Sequence, residues 1–449
     1  MPESGNFYPP WNKDEAGEPA EQSPGRADLD ALDNKKTMND ITINAERLWS
    51  ELMETGEFGK QPNGGLTRRA LSDPDQRARR WLMEKMEQVG MEVRVDNAMN
   101  VIGTLKSASP RTDRKGALGS HMDTVPNGGM FDGILGVLAA LECARTFREQ
   151  EIHLPWDLEV ISFCDEEAGY NAGTIGSRAM MGKLQEGEIY LSKKKGGETF
   201  ADNLVRLGRD PEKIYSAKRD PSELAFFIEL HIEQGKVLEV ARKQIGVVTA
   251  IVGIYRYVVT VEGEPAHAGT TPMNLRRDAL IEAAPMFTLL PKWVVQRNPD
   301  MVGTIGMVTL EPGAANVVPG ECSFVVELRS QIPEDMQSVR DHLFEYCDQR
   351  DYWRVDTIYE KDSVPLSENM IETISSAAEH NGFEWMRMPS GAGHDAQTLA
   401  PSVDTGMIFV PCRNGVSHSP LEWIEPRNAA EGCQALFDTV RKLAQRDTP

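Results

Sequence analysis

Leu158-Glu159-Val160-Ile161-Ser162-Phe163-Cys164 runs directly into Asp165-Glu166-Glu167, so an apolar, partly β-branched segment ends in three consecutive carboxylates. A short apolar run of this kind reads as a buried strand. Upstream, Gly119-Ser120-His121-Met122-Asp123-Thr124-Val125-Pro126 is followed by Phe131-Asp132-Gly133 and then by a helical segment from about Gly133 to Arg148. Alternating strand, loop and helix is the pattern of an α/β sheet, whose ligands gather at the carboxyl ends of the strands. Both polar motifs stand there.

His121 and Asp123 are two apart, so in an extended segment they face the same side. His121 can ligate a metal ion while Asp123 orients its imidazole. Asp132, after a Gly-rich turn and before a helix, is placed to bridge two cations. Glu166 and Glu167 face differently: one can bind metal while the other holds an attacking water, as two-metal hydrolysis requires. A lone Glu-Glu is more often a solvated acidic loop, and a lone histidine a polar core residue. The conjunction of both motifs with apolar lead-ins favours a metal site.

Five of the eight histidines, His121, His231, His267, His394 and His418, lie in Gly- or Pro-rich or strand-end contexts. His153, His342 and His380 sit among charged residues and are assigned to structure or solvent. His231 closes Phe226-Phe227-Ile228-Glu229-Leu230, and His418 follows Met407-Ile408-Phe409-Val410. Both are candidate terminal ligands, although no short cluster with metal-ligand spacing exists.

Outward from this centre, apolar residues at helical spacing (Ile43, Leu48, Leu52, Met53) and the capped segment Asp73 to Val89 predict two helices, followed by strands at 91–95 and 101–105. After about Ile245 the style changes. Strands near 255–261, 302–310, 323–328 and 355–359, with helices from about 277 and near 334–348, give a β-α-β-β-α-β order, as in a ferredoxin-like module. The α/β style resumes near Ser367. The expected architecture is an α/β catalytic domain, 39–247 and 363–449, interrupted by an α+β insertion, 248–362. Residues 1–38, rich in Pro, Gly, Glu and Asp, are expected to form a mobile acidic arm, or a strap over a neighbouring subunit through Phe7, Tyr8 and Trp11.

A chain of 449 residues is long enough for two cores. Its formal charge of −21 argues against nucleic-acid or anionic-membrane partners. No apolar run approaches the ~18–20 residues that span a bilayer. The amino terminus has no signal-peptide pattern, and the six cysteines form no C-x-x-C pair. A cytoplasmic location is expected.

The ordered motifs Gly-Ser-His121-x-Asp123-Thr, Asp132-Gly-x-x-Gly136, Asp-Glu166-Glu167, Glu-Leu-His231-Ile-Glu-Gln234-Gly, His267-Ala-Gly-Thr-Thr-Pro272, Ala315-Asn316-Val-Val-Pro-Gly320, Ser390-Gly-Ala-Gly-His394-Asp395-Ala and Ser417-His418-Ser resemble the M20-type metallohydrolases. Within them they resemble the carbamoylase branch: N-carbamoyl-L-amino-acid hydrolases, β-ureidopropionases and allantoate amidohydrolases. The resemblance runs from about Ile43 to the carboxyl terminus. It implies a metallohydrolase fold with an inserted ferredoxin-like lid and dimerisation domain. Two divalent ions (zinc or manganese, with cobalt or nickel as alternatives) would be held by His121, Asp132, Glu167, His231 and His418, with Asp132 bridging. Glu166 matches the general base and Asp123 the supporting aspartate. Gln234, His267, Asn316 and Arg329 match substrate contacts, and His267 and Asn316 can reach the neighbouring subunit of a homodimer. His394 and Asp395 would shape the pocket, with a purely structural role as the alternative.

The residue types suit these roles. An imidazole such as His267 can donate to a developing oxyanion, and Arg329 offers a planar fork for a substrate carboxylate. The expected reaction is hydrolysis of an N-carbamoyl or ureido group on a small carboxylate, with deacylation of an N-acyl amino acid as the alternative. One departure stands out. Many relatives have Gly-x-Arg-Phe after the glutamate pair, whereas here the chain reads Ala168-Gly169-Tyr170-Asn171, which leaves the substrate open.

Overall fold

The apolar spacing after Ile41 produces helix α1 (Ala45–Thr55), which buries Leu48 and Leu52 and is capped by the Asn44 side chain accepting from the Arg47 amide. Helix α2 (Asp73–Val89) starts at the Ser72 cap with Pro74 in its first turn. It ends at Gly90, whose φ of +76° is the left-handed conformation that glycine adopts without a Cβ penalty. The computed structural model describes residues 42–192 and 197–446. The arm expected over residues 1–38 lies outside them.

Strands β1 (Glu92–Val95), β2 (Val101–Leu105), β3 (Lys115–His121), β4 (Asp157–Phe163), β5 (Leu224–Ile232) and β6 (Ile245–Ile251) begin a large mixed sheet. The chain then leaves it for β7 (Gly253–Glu262), β8 (Ala266–His267), β9 (Val302–Glu311), β10 (Val317–Val318), β11 (Glu321–Ser330) and β12 (Trp353–Lys361). It returns as β13 (Val364–Pro365), β14 (Trp385–Ser390) and β15 (Thr405–Val410). The large sheet has the order β1-β2-β4-β3-β5-β15-β6-β13, with β14 also beside β6. Its centre, β4-β3-β5-β15, is parallel. Strands β3 and β4 are buried along almost their whole length, as expected for parallel strands covered on both faces.

Helix α3 (Ile134–Glu149) packs on β3. Its Gly136 allows the close approach: a Cβ there would meet the Leu230 carbonyl oxygen of β5 at 2.2 Å. The long carboxyl-terminal helix, described below as α7, packs on α3. On the sheet itself Phe163, Phe227 and Phe409 join Met180 and Leu399 in one buried cluster.

The excursion forms a four-stranded antiparallel sheet in the order β12-β7-β11-β9, with helices α4 (Ala279–Arg297) and α5 (Pro333–Asp348). Numbered within the module this is 4-1-3-2, and its chain order is the β-α-β-β-α-β read from the sequence. Tyr257, Val259, Phe324 and Val326 meet Met286, Leu290 and Leu343 in a core separate from that of the large sheet. The sequence did not signal the β8–β10 ladder, which pairs His267 with Val317. Helices α6 (Glu368–His380) and α7 (Pro426–Arg446) complete the layer on the large sheet. No helix among the described residues is long and apolar enough to cross a membrane.

Candidate metal centre and active site

Four neighbouring parallel strands deliver the polar residues to one edge. His121 is the last residue of β3, and Asp165-Glu166-Glu167 follows β4. His231 lies near the end of β5, and His418 is on the loop after β15. Asp132 precedes α3. Gly133, at φ +68°, is required beside it, because a Cβ there would fall 2.4 Å from the His121 ring. Asp165, Ala168, Gln234 and His418 all adopt positive φ. Such strain in non-glycine residues gathers at functional sites, where packing over-determines the backbone.

Three groups of ligand atoms form among the described residues, and Asp132 belongs to two of them: His121, Asp132 and His231, and Asp132, Glu167 and His418; the third, Glu229, His231 and His394, lies behind His231. His231 Nε2 is 3.0 Å from Asp132 Oδ1, and His418 Nε2 is 3.1 Å from Asp132 Oδ2 and 3.4 Å from Glu167 Oε1. His121 Nε2 lies 3.8 Å from both Asp132 Oδ1 and Glu166 Oε2. The tautomers follow from the other ring nitrogens. His121 Nδ1 is 3.0 Å from the Asp123 carbonyl and His231 Nδ1 is 2.9 Å from the Ile232 carbonyl. A carbonyl only accepts, so Nδ1 carries the hydrogen in both rings. In the neutral form that binds metal, each ring therefore turns a bare Nε2 lone pair toward carboxylate oxygens. Facing acceptors require a cation between them, and the buried Asp132 Oδ1, Glu167 Oε1 and His231 Nε2 make no well-formed hydrogen bond. The donor set fits divalent metal ions.

The electrostatics agree. Burial, then Glu167 and Asp395, push the Glu166 carboxyl well above its ordinary value. Burial and Asp132 raise Glu167 to about 10. Burial alone would raise Asp132, but His231 and His418 hold it well below the carboxylate range. Burial opposes protonation of His231, yet Asp132 and Glu229 push it up to about 9, so without a metal ion a proton on Nε2 would take the cation's place opposite Asp132 Oδ1. A cluster so acidic and so buried is costly without positive charge inside it.

Supporting residues fix these groups. Asp123 accepts from the backbone amides of Glu166 (3.3 Å) and Glu167 (3.1 Å), so its carboxylate positions the glutamate loop. It stays 3.9 Å from His121 Nδ1, which is met by the main-chain oxygen instead. Gln234 Nε2 donates to Asp132 Oδ2 at 2.9 Å and approaches Ser417 and His418. Glu422, which sequence reasoning missed, accepts from the amides of Phe131 and Asp132 and from Ser417 Oγ. It is a single glutamate in a loop, and only the folded contact reveals it. Glu229 was likewise passed over. Buried behind His231, it accepts from Ser120 Oγ and the Ala396 amide.

His394 is buried, edge-on to His231 with ring centroids 4.4 Å apart, and its Nε2 is 2.9 Å from Ser390 Oγ. Burial keeps it neutral, well below the usual histidine value. Asp395 accepts from Ser177 Oγ at 2.6 Å.

The remaining expected residues lie elsewhere. His267 and Asn316 are exposed neighbours on the β8–β10 ladder, where the Ala268 amide donates to the Asn316 carbonyl. Among the described residues no hydrogen bond or ion pair joins either side chain to the metal cluster. Arg329, on β11, donates to Glu327 Oε1 and to the Gly391 carbonyl at 2.7 Å, reaching the loop that carries His394. Tyr170 belongs to a buried cluster with Leu71, Cys164 and Phe200. It is buried against Phe200, its hydroxyl donates to the Ala70 carbonyl at 2.6 Å, and Arg69 stacks over its ring at 3.7 Å. The departure from Gly-x-Arg-Phe therefore ends in a small core.

A family model described as Peptidase family M20/M25/M40 matches residues 117–442, which include both ligand groups. The chain belongs to the M20/M25/M40 peptidase family. Within the M20 family it is similar to the N-carbamoyl-L-amino acid amidohydrolase of Geobacillus stearothermophilus, 39% identical over 417 residues, 90% of this chain and 99% of the relative. It is also similar to the allantoate amidohydrolase of Bacillus subtilis, at 35% identity over 86% of this chain and 95% of the relative. The solved structure of a hydantoinase/carbamoylase family amidase from Burkholderia multivorans matches with a TM-score of 0.82 at 32% identity, covering 90% of this chain and 98% of that one. This M20 chain is an amidohydrolase, as its ordered motifs led one to expect.

Proposed function

We propose that the protein hydrolyses the carbamoyl C–N bond of an N-carbamoyl (ureido) compound carrying a carboxylate, most simply an N-carbamoyl-L-amino acid, and releases the amine, ammonia and carbon dioxide. The observation that carries this reading is the shared Asp132, common to two ligand groups with Glu166 beside them. His121, Asp132 and His231 would hold one divalent ion, and Asp132, Glu167 and His418 the other. Such ions supply Lewis acidity that acidifies water and polarises a carbonyl. Zinc or manganese suits the mixed imidazole and carboxylate set, with cobalt or nickel as alternatives.

The chain's own groups do the rest. Glu166 takes the proton of the attacking water and delivers it to the departing nitrogen; its raised pKa suits the acid half of that cycle. Asp123 holds the Glu166 and Glu167 amides in place. Gln234 keeps Asp132 oriented and can meet substrate. Arg329 binds the substrate carboxylate near Gly391, while His394 packs against His231. His267 donates to the developing oxyanion and Asn316 binds substrate, both from the partner subunit of a homodimer formed through the four-stranded module. That module, residues 248–362, serves as lid and dimerisation domain. The exposure of His267 and Asn316 and their lack of contact with the cluster of their own chain support this reading. Six free, buried cysteines suit a reducing cytoplasm.

The test is an ammonia-release screen with manganese or zinc present, covering N-carbamoyl-L-amino acids, 3-ureidopropionate, allantoate and N-acyl amino acids. Ammonia from the ureido compounds is the expected result. Turnover confined to N-acyl compounds, without ammonia, would replace this reading with deacylation.

A further inference from the structure

Beside the metal centre, the loop Gly391–Gln397 is gripped from the four-stranded module by two cations. Arg329 donates to the Gly391 carbonyl at one end of the loop. Lys361, the last residue of β12, donates to Gln397 Oε1 at 2.7 Å at the other end. One residue further on, Lys183 Nζ donates to the Thr398 carbonyl at 2.7 Å. Arg178 completes the group but is already neutralised by a two-pronged pair with Glu188. Neither Lys183 nor Lys361 has a carboxylate within ion-pair distance among the described residues; each is bonded only to a neutral oxygen. In a chain with a formal charge of −21, two exposed ammonium groups near enough to act on each other stand here without a carboxylate partner. Loss of hydration, then Arg178, lowers Lys361, with Glu166 acting in the opposite sense and Lys183 adding a smaller lowering of its own. At the Arg329 end of the loop a Cβ built on Gly391 would meet nothing within 4 Å, which leaves room there for a ligand.

We propose that Lys361 and Lys183 form a second anion subsite, so that the preferred substrate is a dicarboxylate: a ureido compound whose first carboxylate meets Arg329 and whose side-chain carboxylate meets the two lysines. The inference rests on the ureido reading and on the placement of Arg329 at the loop's other end. It assigns the substrate class as N-carbamoyl derivatives of acidic amino acids. The side-chain carboxylate would replace the Gln397 and Thr398 oxygens as the lysines' partner, a charge-assisted bond in place of a neutral one.

The two readings are separated by measuring binding apart from turnover. Calorimetry on the metal-loaded enzyme compares L-aspartate and L-glutamate with L-methionine, the amines that hydrolysis would release. The wild-type protein should bind an acidic amino acid at least about tenfold more tightly than methionine, the scale of one charge-assisted hydrogen bond. Lys361→Met should erase most of that ratio, Lys183→Met should reduce it, and Lys361→Arg should restore it. The melting temperature of each variant controls for folding, and both lysines are exposed enough to tolerate the changes. Equal affinity for acidic and apolar ligands, or a ratio that survives both methionine variants, overturns the subsite whatever the turnover screen shows. An intact, lysine-dependent ratio with no ammonia from any N-carbamoyl substrate would support the subsite and instead sink the ureido reading.

Discussion

The metal cluster and the β8–β10 ladder carry chemistry in opposite ways. In the cluster neighbours hold the groups in place: Asp123 by the glutamate amides, Asp132 by Gln234, and the Nδ1–H groups of His121 and His231 by carbonyls. What it lacks is positive charge. At the ladder His267 and Asn316 are exposed, and His267 Nδ1 accepts from the Gly269 amide two residues on. In the proposed reading, ions complete the cluster, and the site of a second copy of the chain gives His267 and Asn316 their role.

Breaking the first half of this contrast gives the largest effects. Removal of metal with a chelator should abolish turnover and lower the melting temperature, because facing lone pairs and crowded carboxylates would lose their only stabilising charge. Restored activity and melting on adding manganese or zinc would complete the test, while full activity in chelator would sink the metal assignment. Next, Glu166→Gln should cost about 10²–10⁴-fold in kcat while metal content by elemental analysis stays at the wild-type level. Loss of metal would make Glu166 a ligand and not the base.

The second half sharpens the contrast. His267→Ala should lower kcat by about 10²–10³-fold, the scale of one lost oxyanion donor. If His267 serves the other subunit, co-refolding the Glu166→Gln and His267→Ala chains should recover about a quarter of wild-type activity, because half the dimers are hybrids with one intact site each. No recovery in verified hybrids would place His267 in its own subunit's site. Arg329→Ala should act more weakly, raising KM for carboxylate substrates about tenfold or more, with little change for a substrate lacking that group.

The cluster was legible in the sequence because parallel strands put their polar endings on one edge: an apolar strand followed by His-x-Asp or Asp-Glu-Glu can hardly point elsewhere. The ferredoxin-like order was legible because alternation in β7 and the helical stretch of α5 are local signals. Glu229 and Glu422 were not. Their roles depend on partners 109 and 291 residues away, Ser120 and Phe131, and nothing local marks a glutamate that accepts amides across the fold. Nor was the ladder that pairs His267 with Val317, because a two-residue strand has no period to detect.

Tyr170 offers the smallest and most discriminating change. From the sequence it stood three residues after Glu167 and was open to a part in substrate choice. The structure turns the ring into the core with Phe200 and ties its hydroxyl to Ala70. Tyr170→Phe keeps the ring and the Arg69 stack but leaves the Ala70 carbonyl without that donor. The loss should cost about 1 kcal/mol, and a chain of this size would show it as a shift of a few degrees or less in melting temperature. The ranking of substrates by kcat/KM should not move, because the hydroxyl is spent on the Ala70 carbonyl inside a packed core. A changed ranking at unchanged stability would return Tyr170 to the active site and make this loop part of the pocket wall.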